Sequence, residues 1–119
     1  MHIVDAETGN EGVSAKKTLA IMREIHYIVL NTLQIEPDRT TNTYYRYMTH
    51  LKYLAHRILE DYHFKDEDMG LFHPVASCYR REYACSRKVC DYIARKYSYQ
   101  VGHGEALYLA AHLGHLVNM

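Results

Sequence analysis

The chain has no tryptophan, two prolines, six glycines and three cysteines among its 119 residues. So few breakers leave little room for the many turns of a β-sandwich or barrel, and favour long helices. An odd number of cysteines without paired spacing excludes a disulfide framework and points to a reducing compartment. No stretch approaches the roughly 18 consecutive apolar residues that a membrane helix needs. Residues 1–12 are polar and lack the apolar centre of a signal peptide. The 14 Lys and Arg are cancelled by 14 Asp and Glu, so holding a nucleic-acid backbone by charge alone is not expected. These absences describe one cytoplasmic domain that touches no membrane.

Catalytic frames are missing too. There is no glycine-rich phosphate loop, no GxSxG elbow, and no HExxH or CxxC pattern. Carboxylates gather only at Glu60, Asp61, Asp66, Glu67 and Asp68, a run that reads as a solvated turn. An enzyme is not expected, and neither is a cofactor or a resident metal.

What is present is helical periodicity. Residues 1–14 read as a linker or disordered lead-in, with Ser14 as a helix cap. Leu19, Met22, Ile25, Val29 and Leu33 then recur at helical spacing, predicting a first helix over 15–34 that Pro37 ends. A second helix over 39–61 carries the stripe Tyr44, Tyr47, Leu51, Leu54 and Ile58. The acidic segment 60–70 ends in glycine and reads as a connection. Val75, Tyr79, Tyr83, Val89, Ile93 and Tyr97 predict either one helix over 74–97 or two with a break near Cys78. Residues 98–104 form a loop, and a last helix over 105–117 buries Leu109, Leu113 and Leu116. No strand pattern or repeat appears. The expected fold is an all-α bundle of long antiparallel helices.

Nine histidines are many for this length. Two sit in strongly helical, largely apolar runs. His50 has Arg46 four residues before it and Arg57 seven after it, all on one helical face. A neutral imidazole nitrogen can attack phosphorus, and the dianionic product can take bidentate bonds from arginine. Nearby positive charge keeps that nitrogen unprotonated. The same placement also suits a core-edge histidine bonded to a backbone carbonyl, and spacing alone leaves both readings open. His112 shares a face with Glu105 and Tyr108, and a glutamate there can orient the ring. His115, three residues on, makes a second reading possible: a chelating pair that needs a third ligand, from His103 or a cysteine. His26 is expected to face solvent, His63, His73 and His103 to lie in loops, and His56 to have no role. The three cysteines read as buried small hydrophobes. The basic run Arg80, Arg81, Arg87, Lys88, Arg95 and Lys96 reads as a solvated face.

The run Tyr45-Arg46-Tyr47-Met48-Thr49-His50-Leu51-Lys52-Tyr53-Leu54-Ala55-His56-Arg57 resembles the first signature of the PTS regulation domain, or PRD. This is the regulatory module of the BglG/SacY/LicT family of transcriptional antiterminators. Tyr83-Ala84-Cys85-Ser86-Arg87-Lys88-Val89 resembles the fourth helix of that domain, and Glu105-Ala106-Leu107-Tyr108-Leu109-Ala110-Ala111-His112-Leu113 its closing signature. The likeness covers about 17–117 and is closest to the second of the two PRDs in such proteins.

The resemblance implies a compact five-helix bundle over 15–119 that pairs as a homodimer. It implies that His50 and His112 accept phosphoryl groups, with Arg46, Arg57 and Glu105 in support. The donor would be the phosphocarrier HPr or a sugar-specific enzyme II of the bacterial sugar phosphotransferase system. RNA would be bound only through an N-terminal domain outside this chain, which is expected to be a fragment of a longer protein. Two positions depart from the family pattern near His112. His115 stands where arginine is common, and Gly104 where an acidic residue is common. A PRD from a DNA-binding activator is the alternative within the same family. A metal-sensing helical domain using His112 and His115 is the alternative outside it.

Overall fold

The computed structural model describes residues 2–63 and 77–118, with side chains from Ser14 onward. It holds four helices among those residues and no strand: α1 over His2–Leu33, α2 over Asn42–Glu60, α3 over Arg80–Tyr97 and α4 over His103–Val117. The fold is all-α, as expected. The count of five helices is not matched, because the described residues hold four. Among the described residues between α2 and α3, Ser77 and Cys78 are helical; His73 and Pro74 lie outside the described residues.

The helix boundaries have local causes. α1 begins at His2 rather than near 15. Residues 2–14 contain no proline, and Gly9 and Gly12 weaken a helix by about 1 kcal/mol each without breaking it. α1 stops at Gln34, which adopts a left-handed φ of 53°. Pro37 lies in the connection, where Asp38 Oδ1 accepts from the Thr40 amide at 2.9 Å. Thr41 then caps α2: its backbone is extended and its side chain accepts from the Tyr44 amide at 3.2 Å. The break considered near Cys78 falls at Tyr79, whose φ of −125° and ψ of 60° separate Ser77–Cys78 from α3.

Each helix packs on two others, in the cyclic order α1–α2–α4–α3. The core is filled by Ile21, Ile25, Val29 and Leu33 of α1 and by Tyr47, Leu51, Leu54 and Ile58 of α2. Val89 and Ile93 of α3 and Leu109, Leu113 and Leu116 of α4 complete it. The α2 and α4 stripes match the sequence reading. In α1 the buried set is shifted: Ile21 takes the place given to Leu19, which is half exposed. Ile21, Ile25, Val29 and Leu33 keep a four-residue step, which the pattern through Leu19 and Met22 does not. Cys85 and Cys90 are buried as expected, but Cys78 is exposed beside the break at Tyr79.

Polar groups tie the cycle together. Glu24 of α1 accepts from Tyr92 Oη at 2.7 Å, Tyr97 Oη at 2.6 Å and Lys96 Nζ at 2.9 Å of α3. Burial alone raises the carboxyl pKa, yet these donors outweigh it and hold the group below its ordinary value. Arg81 donates to the Leu33 carbonyl at the end of α1 at 2.9 Å, and the fully buried Ser86 hydroxyl donates to the Ala106 carbonyl at 2.7 Å. His26 is not solvent-facing. It is half-buried between α1 and α2, with Nδ1 hydrogen bonded to Tyr47 Oη at 3.0 Å. A tyrosine buried as completely as Tyr47 needs a partner for its hydroxyl, and His26 is the group within reach.

Candidate functional site

The α2–α4 contact brings together two stripes that are far apart in sequence. On α2, Arg46, His50, Tyr53 and Arg57 follow one another at three- or four-residue steps, with Thr49 beside His50. On α4, Glu105, Tyr108, His112 and His115 do the same. Leu51 and Leu54 pack beneath the first stripe and Leu109 and Leu113 beneath the second, so both stripes turn outward along the same seam. Between them lies a cleft of about 910 Å³, lined by every residue just named in the two stripes. All five residues singled out from the sequence, Arg46, His50, Arg57, Glu105 and His112, meet there.

Three rings meet in it. The His50 and His112 ring centroids are 5.0 Å apart, at a tilt of 41°. Tyr108 lies parallel to His50, within 6°, at 5.1 Å, and 4.9 Å from His112. His50 Nε2 is sealed from solvent and has no hydrogen-bond partner among the described residues. No backbone carbonyl holds that nitrogen, so the core-edge reading lacks its bond there.

The arginines divide between the histidines. Burial pushes the His50 pKa down to about 3, with His112 and Arg57 adding to the effect. Burial also lowers the His112 pKa, followed by His115 and Arg46. Both rings are therefore neutral near pH 7 and keep a lone pair for attack. The charge of Arg46 thus contributes to the lowering at His112, although the sequence places it one turn before His50. Arg57 is engaged: it donates to Glu105 Oε1 in an ion pair whose side chains are 18% and 9% exposed. Glu105 therefore holds Arg57 and makes no hydrogen bond to His112, the role expected for it. Arg46 is exposed and makes no hydrogen bond or ion pair among the described residues.

Sequence reasoning missed Tyr108 as a partner of His50, and the exposed rings of Tyr45 and Tyr53 at the cleft edge. The three-residue step from Glu105 to Tyr108 and the four-residue step on to His112 carry a signal for the first. His63 also lines the cleft, stacked on Tyr99 at 4.5 Å and 3.0 Å from Asp61 Oδ1. His103 is the first residue of α4 rather than a loop residue. Among the described residues no group of three His, Cys, Asp or Glu side chains converges on a metal position, so His112 and His115 find no third ligand there. No described helix is long and apolar enough to cross a membrane.

The pattern of the PRD domain family matches residues 23–116. The chain belongs to the PRD domain family. It is 35% identical over 117 residues to the transcription antiterminator LicT of Bacillus subtilis (strain 168), a match covering 98% of this chain and 42% of that protein. It is 30% identical over 113 residues to the beta-glucoside operon antiterminator of Dickeya chrysanthemi, covering 95% of this chain and 40% of that one. This PRD thus spans about two fifths of the length of these relatives. The matched region includes α2, α3 and nearly all of α4, and with them both faces of the cleft.

Proposed function

We propose that this chain is the regulatory PRD, the second of two, of a cytoplasmic transcriptional antiterminator, with the domain over 15–119. His50 and His112 accept phosphoryl groups from HPr or an enzyme II of the sugar phosphotransferase system. The observation that carries this reading is the cleft itself: two imidazoles in ring contact, with Arg46 and Arg57 lining the same space. In each transfer the donor's bond to phosphorus breaks and a new N–P bond forms on the accepting ring. The accepting ring gives up one proton, which is returned to the donor's leaving group or to water.

The consequence is electrostatic. A phosphoryl group brings about −1.5 to −2 charges and three acceptor oxygens. Placed in this cleft it draws Arg46, competes with Glu105 for Arg57, and recruits cations from a second copy of the chain. Moving a two-state dimer from mostly off to mostly on needs about 5 kcal/mol of differential interaction. Two or three charge-assisted bonds of about 1.5–3 kcal/mol each supply that. RNA binding, through an N-terminal domain outside this chain, follows the dimer.

Incubation with HPr, enzyme I and phosphoenolpyruvate, read by intact mass, tests the reading. The expected result is an acid-labile gain of one or two phosphoryl groups, abolished in the double variant His50→Ala, His112→Ala. No gain with phosphorylated HPr and with a cognate enzyme II would overturn it.

A further inference from the structure

The two histidines of the cleft are presented unequally. His50 lies under Tyr108, whose ring is parallel to the imidazole, 5.1 Å away between centroids. The tyrosine is itself 61% exposed, so it sits between His50 and the cleft mouth. His50 Nε2 is buried and unpartnered. Arg57, which lines the cleft with His50, is already held by Glu105. His112 stands on the same helix as Tyr108, one turn further on, and contacts the edge of this stack at a tilt of 40° rather than lying beneath it. Arg46, which lines the cleft with His112, is exposed and has no partner among the described residues.

We propose that Tyr108 is a positioning residue that keeps His50 shut while His112 stands open, so that the pair takes phosphoryl groups in a fixed order, His112 first. This rests on the reading of both histidines as phosphoryl acceptors. A group on His112 finds Arg46 ready to bind its oxygens. A group on His50 needs two prior movements: the Tyr108 ring leaves the imidazole, and Arg57 leaves Glu105. The first phosphoryl group promotes both. On His112 it lies against Tyr108, crowds that ring, and offers Arg57 a dianion in place of a carboxylate. The closed stack is thus the barrier that separates the two steps, and side chain 108 sets its height.

Phosphoramidate, a small donor that needs no carrier protein, tests this on the 119-residue chain. The imidazole lone pair forms the new N–P bond as the P–N bond of phosphoramidate breaks; ammonia leaves, and the ring loses its N–H proton to water. Initial rates at the two sites are read by peptide mass under alkaline conditions, with circular dichroism to check folding. The wild type is expected to label His112 well before His50. Tyr108→Ala is expected to raise the His50:His112 rate ratio by about tenfold, equivalent to about 1.4 kcal/mol at the barrier. Tyr108→Phe keeps the ring and is expected to restore the order, which a hydroxyl-dependent or purely structural role would not do. Equal wild-type rates, or a ratio unmoved by Tyr108→Ala, would overturn the gate while leaving the acceptor reading in place. A folded chain labelled at neither histidine would overturn both.

Discussion

Arg57 and Glu105 form an ion pair across the α2–α4 seam, 48 residues apart in sequence and mostly buried on both sides. The pair makes Arg57 a structural cation before any role in the proposed phosphate binding. Arg57→Ala leaves a carboxylate that is 9% exposed without its counter-charge. The expected cost is about 3 kcal/mol of unfolding free energy, measured by urea denaturation. Glu105→Gln keeps an acceptor for Arg57 and is expected to cost less than half as much. Equal losses in the two variants would show that the charge of Glu105 is what the arginine needs.

Arg46 is the contrasting case. It is exposed and makes no hydrogen bond or ion pair among the described residues, so Arg46→Ala is expected to change stability by no more than about 0.5 kcal/mol. Its removal takes from the cleft a cation whose charge helps lower the His112 pKa. Phosphorylation of His112 is expected to slow by about tenfold or more, matching the loss of one charge-assisted bond of about 1.5–3 kcal/mol. A variant that melts normally and labels His112 at the wild-type rate would remove Arg46 from the site.

The pH dependence of stability follows from His50. Its folded pKa, about 3, lies below the ordinary value of 6.5, so between those limits the unfolded chain binds the extra proton. The contribution is fully present above about pH 6.5 and is lost progressively as pH falls toward 3. Near one proton's difference, each pH unit costs about 1.4 kcal/mol. His112 and His26 are also depressed and act in the same direction. Denaturation at pH 7 and pH 5 is expected to show a smaller loss for His50→Asn than for the wild type. A His50 ring proton that titrates in NMR above pH 5 would contradict the premise.

Gly114 of α4 faces Tyr79, and a Cβ at this position would meet the tyrosine ring at 2.5 Å. Two effects oppose each other in Gly114→Ala. Helix propensity gains about 1 kcal/mol. Overpacking against a ring costs about 1–3 kcal/mol. The steric term wins, and a melting temperature lower by a few degrees is expected in a calorimetric scan. A rise would mean that Tyr79 swings away without cost.

Periodicity made much of this molecule readable. The Tyr47–Leu51–Leu54–Ile58 and Leu109–Leu113–Leu116 stripes recur at helical spacing, and the structure buries all of them. His50, Arg46, Arg57, Glu105 and His112 could be grouped by helix face for the same reason. What periodicity cannot give is which helix lies beside which. That α2 meets α4, so that His50 touches His112 and Arg57 takes Glu105, is a matter of tertiary order. The partner of Glu105 was hidden on this ground: the nearer group in sequence is His112, but the group it pairs with is a guanidinium on another helix. His26 was misplaced because a histidine reads as polar in a pattern, while its ring also serves as the hydrogen-bond partner that the buried Tyr47 needs. The start of α1 was misplaced because Ser14 has the chemistry of a cap whether or not the helix stops there.

Three helices of the cycle end on residues with a positive φ of 53°, and none of the three is glycine: Gln34 after α1, Asp61 after α2 and Ser98 after α3. A side chain in that conformation costs about 1 kcal/mol relative to the right-handed alternative. The corners of the bundle are therefore held by the packing around them and not by local preference. Gln34, Asp61 and Ser98 are all exposed. A glycine at each of these turns would meet that φ without the penalty, so the molecule keeps a reserve of unclaimed stability at its outer corners.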